Sequence, residues 1–203
     1  GKLSMASIQK TQGIAFFPIQ SISANSVALG TAYNVGTALA ATIFIHLGRD
    51  DTAGDLTTGV DIRIEASAKE TGNDQWFPLA AFKSGKTAPE SEALTGTVTA
   101  GIRTLPVAST ANIARGDIIF IKNSPLEESE FHRVKSITPG ASVQIIDTLT
   151  YEQTGATLYD QAEMYVAQLD LSAIGRIRLV ADGSGGGRSF VVEAYMVTGD
   201  SIS

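Results

Sequence analysis

The sequence predicts an all-β protein: an antiparallel, jelly-roll-like β-sandwich carrying a smaller inserted β-barrel or β-meander unit. Three observations predict it. Residues 58–82 (TGVDIRIEASAKETGNDQWFPLAAF) alternate, with Val60, Ile62, Ile64 and Ala66 on one side of an extended chain and Asp61, Arg63 and Glu65 on the other. A period of two marks a strand with one wet and one buried face. The polar run 69–74 then turns the chain, and Trp76, Phe77, Leu79 and Phe82 return as a second strand, an antiparallel hairpin. Composition agrees: 20 Gly in 203 residues and 43% hydrophobic residues suit short strands joined by tight turns around an ordinary core. Finally, further alternating runs recur along the chain between Gly-, Pro- and Asn-containing turns.

The elements follow in order. Residues 6–10 are a short edge strand. Residues 13–19 (GIAFFPI) are apolar on both faces, and Pro18 has no N–H for a ladder, so they form an edge strand or a buried crossing segment. Residues 21–36 read as loop or irregular strand. Residues 39–47 (LAATIFIHL) are a strong strand with Leu39, Ala41, Ile43, Ile45 and Leu47 on one face and Ala40, Thr42, Phe44 and His46 on the other. Both faces are mostly apolar, which predicts a strand that is central or covered on both sides. Residues 48–59 are a polar loop, then comes the hairpin, and residues 84–91 are a linker-like loop.

Strand candidates at 92–99 and 102–107 follow. Residues 109–114 (STANIA) read as one helical turn capped by Ser109 or Thr110. Strands at 117–122, 130–137 and 142–146 are separated by turns at Asn123-Ser124-Pro125 and Pro139-Gly140, and 149–160 is irregular. Three strong strands close the chain at 162–171, 175–182 and 188–198. Ile177, Leu179 and Ala181 face inward in the second, and Phe190, Val192, Ala194 and Met196 share a face in the third. Outward Arg176 and Arg178 can lie opposite Asp61 and Glu65. Residues 183–187 (GSGGG) read as a hairpin loop.

The hairpin needs more strands than precede it to complete a sandwich, and the last three strands supply them. The expected organisation is a sandwich of residues 5–94 plus 163–203, with 95–162 inserted as the smaller unit at an exposed loop. Residues 1–4, ahead of Met5, read as a cloning scar.

Composition also narrows function. A net charge of −6 and a pI near 4.9 argue against a nucleic-acid partner, and no basic stripe is present. The absence of Cys excludes disulfides, thiol catalysis and zinc–thiolate sites, and leaves the redox compartment open. No apolar run approaches the ~20 residues of a membrane helix, so no membrane partner is expected.

Little chemistry is legible. His46 and His132 are the only histidines, and no G-x-S-x-G elbow accompanies them. His46 reads as a packed or sheet-face residue, and His132 as part of a solvated face. Asp50, Asp51 and Asp55 cluster around Gly54, and oxygen-rich loops of this kind suit calcium, the one cofactor considered; their spacing is not that of an EF-hand, and an acidic turn is the default. Glu127, Glu128 and Glu130 read as a solvated hairpin tip. Gly185 and Gly186 lie between strands, not before a helix, so they are read as a mobile tip that can order against a partner. Trp76 beside its polar turn is either a core anchor or a ring for stacking on a sugar.

Residues 97–110 (TVTAGIRTLPVAST), continuing into Gly116-Asp117-Ile118-Ile119-Phe120-Ile121 and Arg133-Val134-Lys135-Ser136-Ile137, resemble a small β-unit found in tailed-bacteriophage virion structural proteins. The likeness covers about a third of the chain, and no functional residue is carried over by it. It implies a non-enzymatic component of the phage particle, a capsid decoration (cement) protein or a head–tail or tail component. The implied partners are a major capsid or tail protein lattice and other copies of this chain, a homo-oligomer such as a trimer. The alternative is a carbohydrate-binding β-sandwich module using Trp76 and the Asp50–Asp55 loop.

Overall fold

The computed structural model describes residues 9–10, 13–49, 60–72, 75–84, 90–184 and 189–200. Asp50, Asp51, Asp55, Gly185 and Gly186 lie outside the described residues. The described strands are β1 (Gln9–Lys10), β2 (Ile14–Ile22), β3 (Val27–Leu29), β4 (Tyr33–Asn34), β5 (Ala38–Arg49), β6 (Asp61–Ser67), β7 (Phe77–Lys83), β8 (Ser91–Ala93), β9 (Thr104–Pro106), β10 (Ile118–Lys122), β11 (Glu130–Thr138), β12 (Ser142–Ile145), β13 (Thr157–Asp170), β14 (Arg176–Asp182) and β15 (Phe190–Asp200). The fold is all-β, as the alternation predicts. A larger sheet runs β1-β15-β5-β13-β10-β11-β12-β9, with β2 also on β15 and β8 on β13; a smaller one runs β3-β14-β6-β7, with β4 on β14.

The two sheets enclose the main core. Ile43, Ile45, Ile62, Ile64, Ile177, Leu179, Phe190, Val192, Ala194 and Met196 are fully buried there, on the faces that the period of two selects. A second cluster, with Leu105, Ile119, Ile121, Val143, Ile145 and Leu158, lies wholly within residues 94–158. β13 serves both regions: residues 157–162 pair with β10, and residues 163–170 pair with β5. A single bridge, Leu94↔Val107, links the chain after β8 to the chain after β9.

Local chemistry explains several details. The β2–β15 register slips between Phe17 and Gln20, so Pro18 sits in a bulge of an edge strand, where its missing N–H leaves no ladder bond unmade. Gly116 turns the chain at a φ of 96°, which side-chain-bearing residues avoid. Glu65 is the cross-strand partner of Arg178, and Arg178 Nη2 donates to Glu65 Oε2 at 2.7 Å. Such a cross-strand pair is worth roughly 0.2–1 kcal/mol. Arg176 meets no carboxylate on Asp61; it donates instead to the carbonyls of Lys69 and Gly72.

Two expectations change, and a third is decided. Residues 109–114 form no helix; Ser109 Oγ accepts the Ala111 N–H and Thr110 O the Ile113 N–H, a pair of tight turns. Side-chain bonds of this local type compete with helical ones. The connection 183–187 is no hairpin, because β14 belongs to the smaller sheet and β15 to the larger. β5 is central, as one of the two expected arrangements has it, and one side of it is open: Ile43 and Ile45 are 0% exposed and Phe44 is 39% exposed. Leu39, expected on the inward face, is 51% exposed at the register slip where Asp200 stands opposite Ala38.

Candidate functional site

The uncovered side of β5 lies at the centre of a continuous surface. In the larger sheet Tyr195, Phe44 and Val166 form one row across β15, β5 and β13, and Val197, Thr42 and Gln168 form the next. Directly opposed residues of an antiparallel sheet share a face. Tyr195 is 42%, Met164 44% and Val166 55% exposed. A shallow trough of about 360 Å³ follows Ala40, Thr42, Phe44, Val197 and Gly199.

At one end this face is covered. Phe120, Ala162 and Val191 form a small buried cluster with Ile19, Phe131 and Tyr159 packed against it, and the Phe120 and Phe131 rings stack at 4.7 Å between centroids. Gly48 makes that approach feasible: a Cβ on it would stand 2.7 Å from the Phe120 ring and 3.0 Å from Phe131.

Where the cover stops, a groove of about 510 Å³ opens, with His46, Glu193 and Tyr195 on one wall and Glu127, Glu130, Phe131, His132, Asp147 and Tyr151 on the other. Both histidines of the chain therefore meet at one place. His46 Nδ1 lies 2.6 Å from Glu193 Oε1, and its ring packs 5.0 Å from Phe131. Tyr195 donates its hydroxyl to Glu193 Oε2 at 3.1 Å. Burial, then the Glu193 charge, pushes that phenol up to about 12, so Tyr195 keeps its donor proton through neutral pH.

His132 and Glu130 correct the expectation of a solvated strand and tip, being only 7% and 8% exposed. Glu130 accepts from the Thr150 and Tyr151 amides at 2.8 and 2.9 Å, from Gln153 Nε2 at 3.0 Å, and pairs with His132 Nε2 at 3.1 Å. Burial alone would raise its pKa; the bonds from His132, Thr150 and Tyr151 outweigh burial and hold it below the ordinary value. Glu127 is exposed, as a tip residue should be. Among the described residues, no group of three or more His, Asp or Glu side chains is arranged to hold a metal ion.

Trp76 lies elsewhere, half-buried beside the smaller sheet, with the Arg178 guanidinium 4.3 Å and that of Arg176 5.4 Å from its ring centroid. It belongs to none of the buried clusters. The structure thus brings His46 and His132 together and leaves Trp76 apart. Sequence reading missed Glu193, Tyr195 and Asp147 as members of one site. Alternation does put His46 beside Phe44, and Glu193 beside Tyr195, on outward faces. No local signal says that those two strands are neighbours.

No protein-family model matches this chain, and no curated protein does. Among solved structures it is similar to the SPBc2 prophage-derived protein YomS, at 12% identity over 97% of this chain and 99% of that one, with a TM-score of 0.33. It is also similar to a chain in a structure of infectious bursal disease virus Gx strain, at 10% identity over 99% of this chain and 82% of that one, with a TM-score of 0.23. Likenesses this distant carry no argument about function.

Proposed function

We propose that this chain is a non-enzymatic structural protein of a tailed-phage particle, docking on the capsid or tail lattice through the open face of its larger sheet. The observation that carries the docking is that face: Phe44, Met164, Val166 and Tyr195 are 39–55% exposed on three adjoining strands. Contiguous exposed apolar surface of this kind marks interaction sites. The phage assignment comes from the resemblance of residues 97–137 to virion proteins. The size of the face favours a lattice over a lone dimer. At ~200 Å² per large side chain, these four expose about 360 Å², less than half the ~800 Å² per partner of a standard stable interface. A weak contact repeated across many lattice sites is strengthened by avidity.

The test uses particles induced from cells carrying the gene. The chain is expected in purified particles by mass spectrometry and on their surface by gold-labelled electron microscopy. Adding Phe44→Asp and Val166→Asp together should abolish rebinding of recombinant protein to particles lacking it. Both side chains already reach solvent, so the melting temperature should fall by no more than a few degrees. Wild-type-like rebinding of the double variant removes the face from the interface, and absence from particles removes the virion role.

A further inference from the structure

We infer that the groove at the end of the open face receives an arginine side chain from an otherwise apolar segment of a protein partner. This rests on the docking reading for the partner being a protein. Among the described residues, the lining of the groove contains four carboxylates, Glu127, Glu130, Asp147 and Glu193, and no Lys or Arg. Two are already engaged: Glu130 by backbone amides, Gln153 and His132, and Glu193 by His46 and Tyr195. Glu127 and Asp147 are exposed, and neither makes an ion pair with a described residue.

Beside them stand the rings of Phe131, Tyr151 and Tyr195. Carboxylates with open lone pairs accept the parallel N–H groups of a guanidinium, and aromatic faces stack on its plane. A lysine ammonium is compact and strongly hydrated and gains less from both. A neutral sugar would leave the carboxylate charge uncompensated, and an anion would be repelled. The volume of about 510 Å³ is within the range of ligand-sized clefts. Tyr195 belongs both to the groove and to the apolar row with Phe44 and Val166, which is why apolar residues should flank the arginine.

The probe is a fluorescein-labelled pentapeptide, leucine-arginine-phenylalanine-arginine-leucine, titrated into the full chain by fluorescence anisotropy. Its controls carry lysine, or the neutral isostere citrulline, in place of arginine. The arginine peptide should bind at least about tenfold tighter than the citrulline peptide. Adding Glu127→Gln with Asp147→Asn should weaken it about tenfold. Adding Glu70→Gln with Asp61→Asn, remote on the smaller sheet, should not. Equal binding of the arginine and citrulline peptides overturns the inference, as does no binding at millimolar peptide or equal weakening by the remote pair. A glycan-array signal lost on Tyr151→Ala would hand the groove to a sugar and overturn it as well. Particle rebinding separates this inference from the docking reading. Loss with the Phe44 and Val166 changes but not with the Glu127 and Asp147 changes sinks the arginine alone; no loss with either pair sinks the docking face itself.

Discussion

Glu130 shows how one buried carboxylate can organise a loop that has no secondary structure of its own. Its two oxygens collect the amides of Thr150 and Tyr151, the Gln153 side chain and His132, tying the start of β11 to the irregular stretch before β13. Replacing it by Gln removes the charge and leaves some of these donors poorly matched, an expected loss of ~1–3 kcal/mol at pH 7. The pH dependence has a definite sign. The folded pKa lies below the ordinary 4.5, so ionised Glu130 stabilises the fold fully above 4.5, and that contribution disappears as pH falls through the lower folded value. Melting curves of wild type and Glu130→Gln between pH 7 and 3 should therefore converge on acidification. A gap that stays constant across the range would show that the carboxylate charge is not what matters. None of this was legible in the sequence, where Glu127, Glu128 and Glu130 form one acidic run; burial separates Glu130 from the rest.

At the scale of elements, β5 and β13 carry the architecture. The alternation identifies β5 and, from Ala41 to Leu47, its inward face correctly; Leu39, assigned to the same face, is exposed. Gly48 looked like the first residue of a loop, but β5 continues to Arg49, and Gly48 is the point where the second region leans on the sheet. A glycine in an extended run cannot announce from sequence which ring approaches it. Gly48→Val places carbon atoms where Phe120 and Phe131 stand, and overpacking of this type costs ~1–3 kcal/mol. Urea denaturation should show that loss. An unchanged midpoint would mean that the aromatic pair can move aside without cost. β13 was expected to start at 162, but it begins at Thr157 and changes partner from β10 to β5 after Ala162. Residues 157–161 do alternate in burial, but the buried side carries Asp160, which accepts the Glu90 amide at 2.7 Å, and a buried carboxylate hides the apolar period of two.

For the whole molecule, the buried residues divide into a core between two sheets, a core confined to residues 94–158, and the small cluster of Phe120, Ala162 and Val191. We expect residues 95–156 to open as one cooperative unit, with protection distinct from that of the two-sheet core. Hydrogen exchange followed by mass spectrometry checks this: two groups of peptides with different opening free energies support a separate unit, and one shared value across the chain dissolves the division. The open face and the groove exist only at this scale, since they are built from β2, β5, β11, β13, β15 and the segments near residues 127 and 147–151.

By itself the sequence determined that this chain is all-β, which faces of β5, β6, β14 and β15 turn inward, and that Glu65 and Arg178 can pair. These follow from the period of two and the chemistry of turns, which act between residues close along the chain. Tertiary structure alone decided which strands are neighbours and which side of the apolar β5 stays open. It also brought His46, Glu193, Tyr195 and Asp147 to one groove. An outward Phe44 reads the same whether another layer or a partner covers it, because apolar patterning records that water is to be excluded and not which surface excludes it.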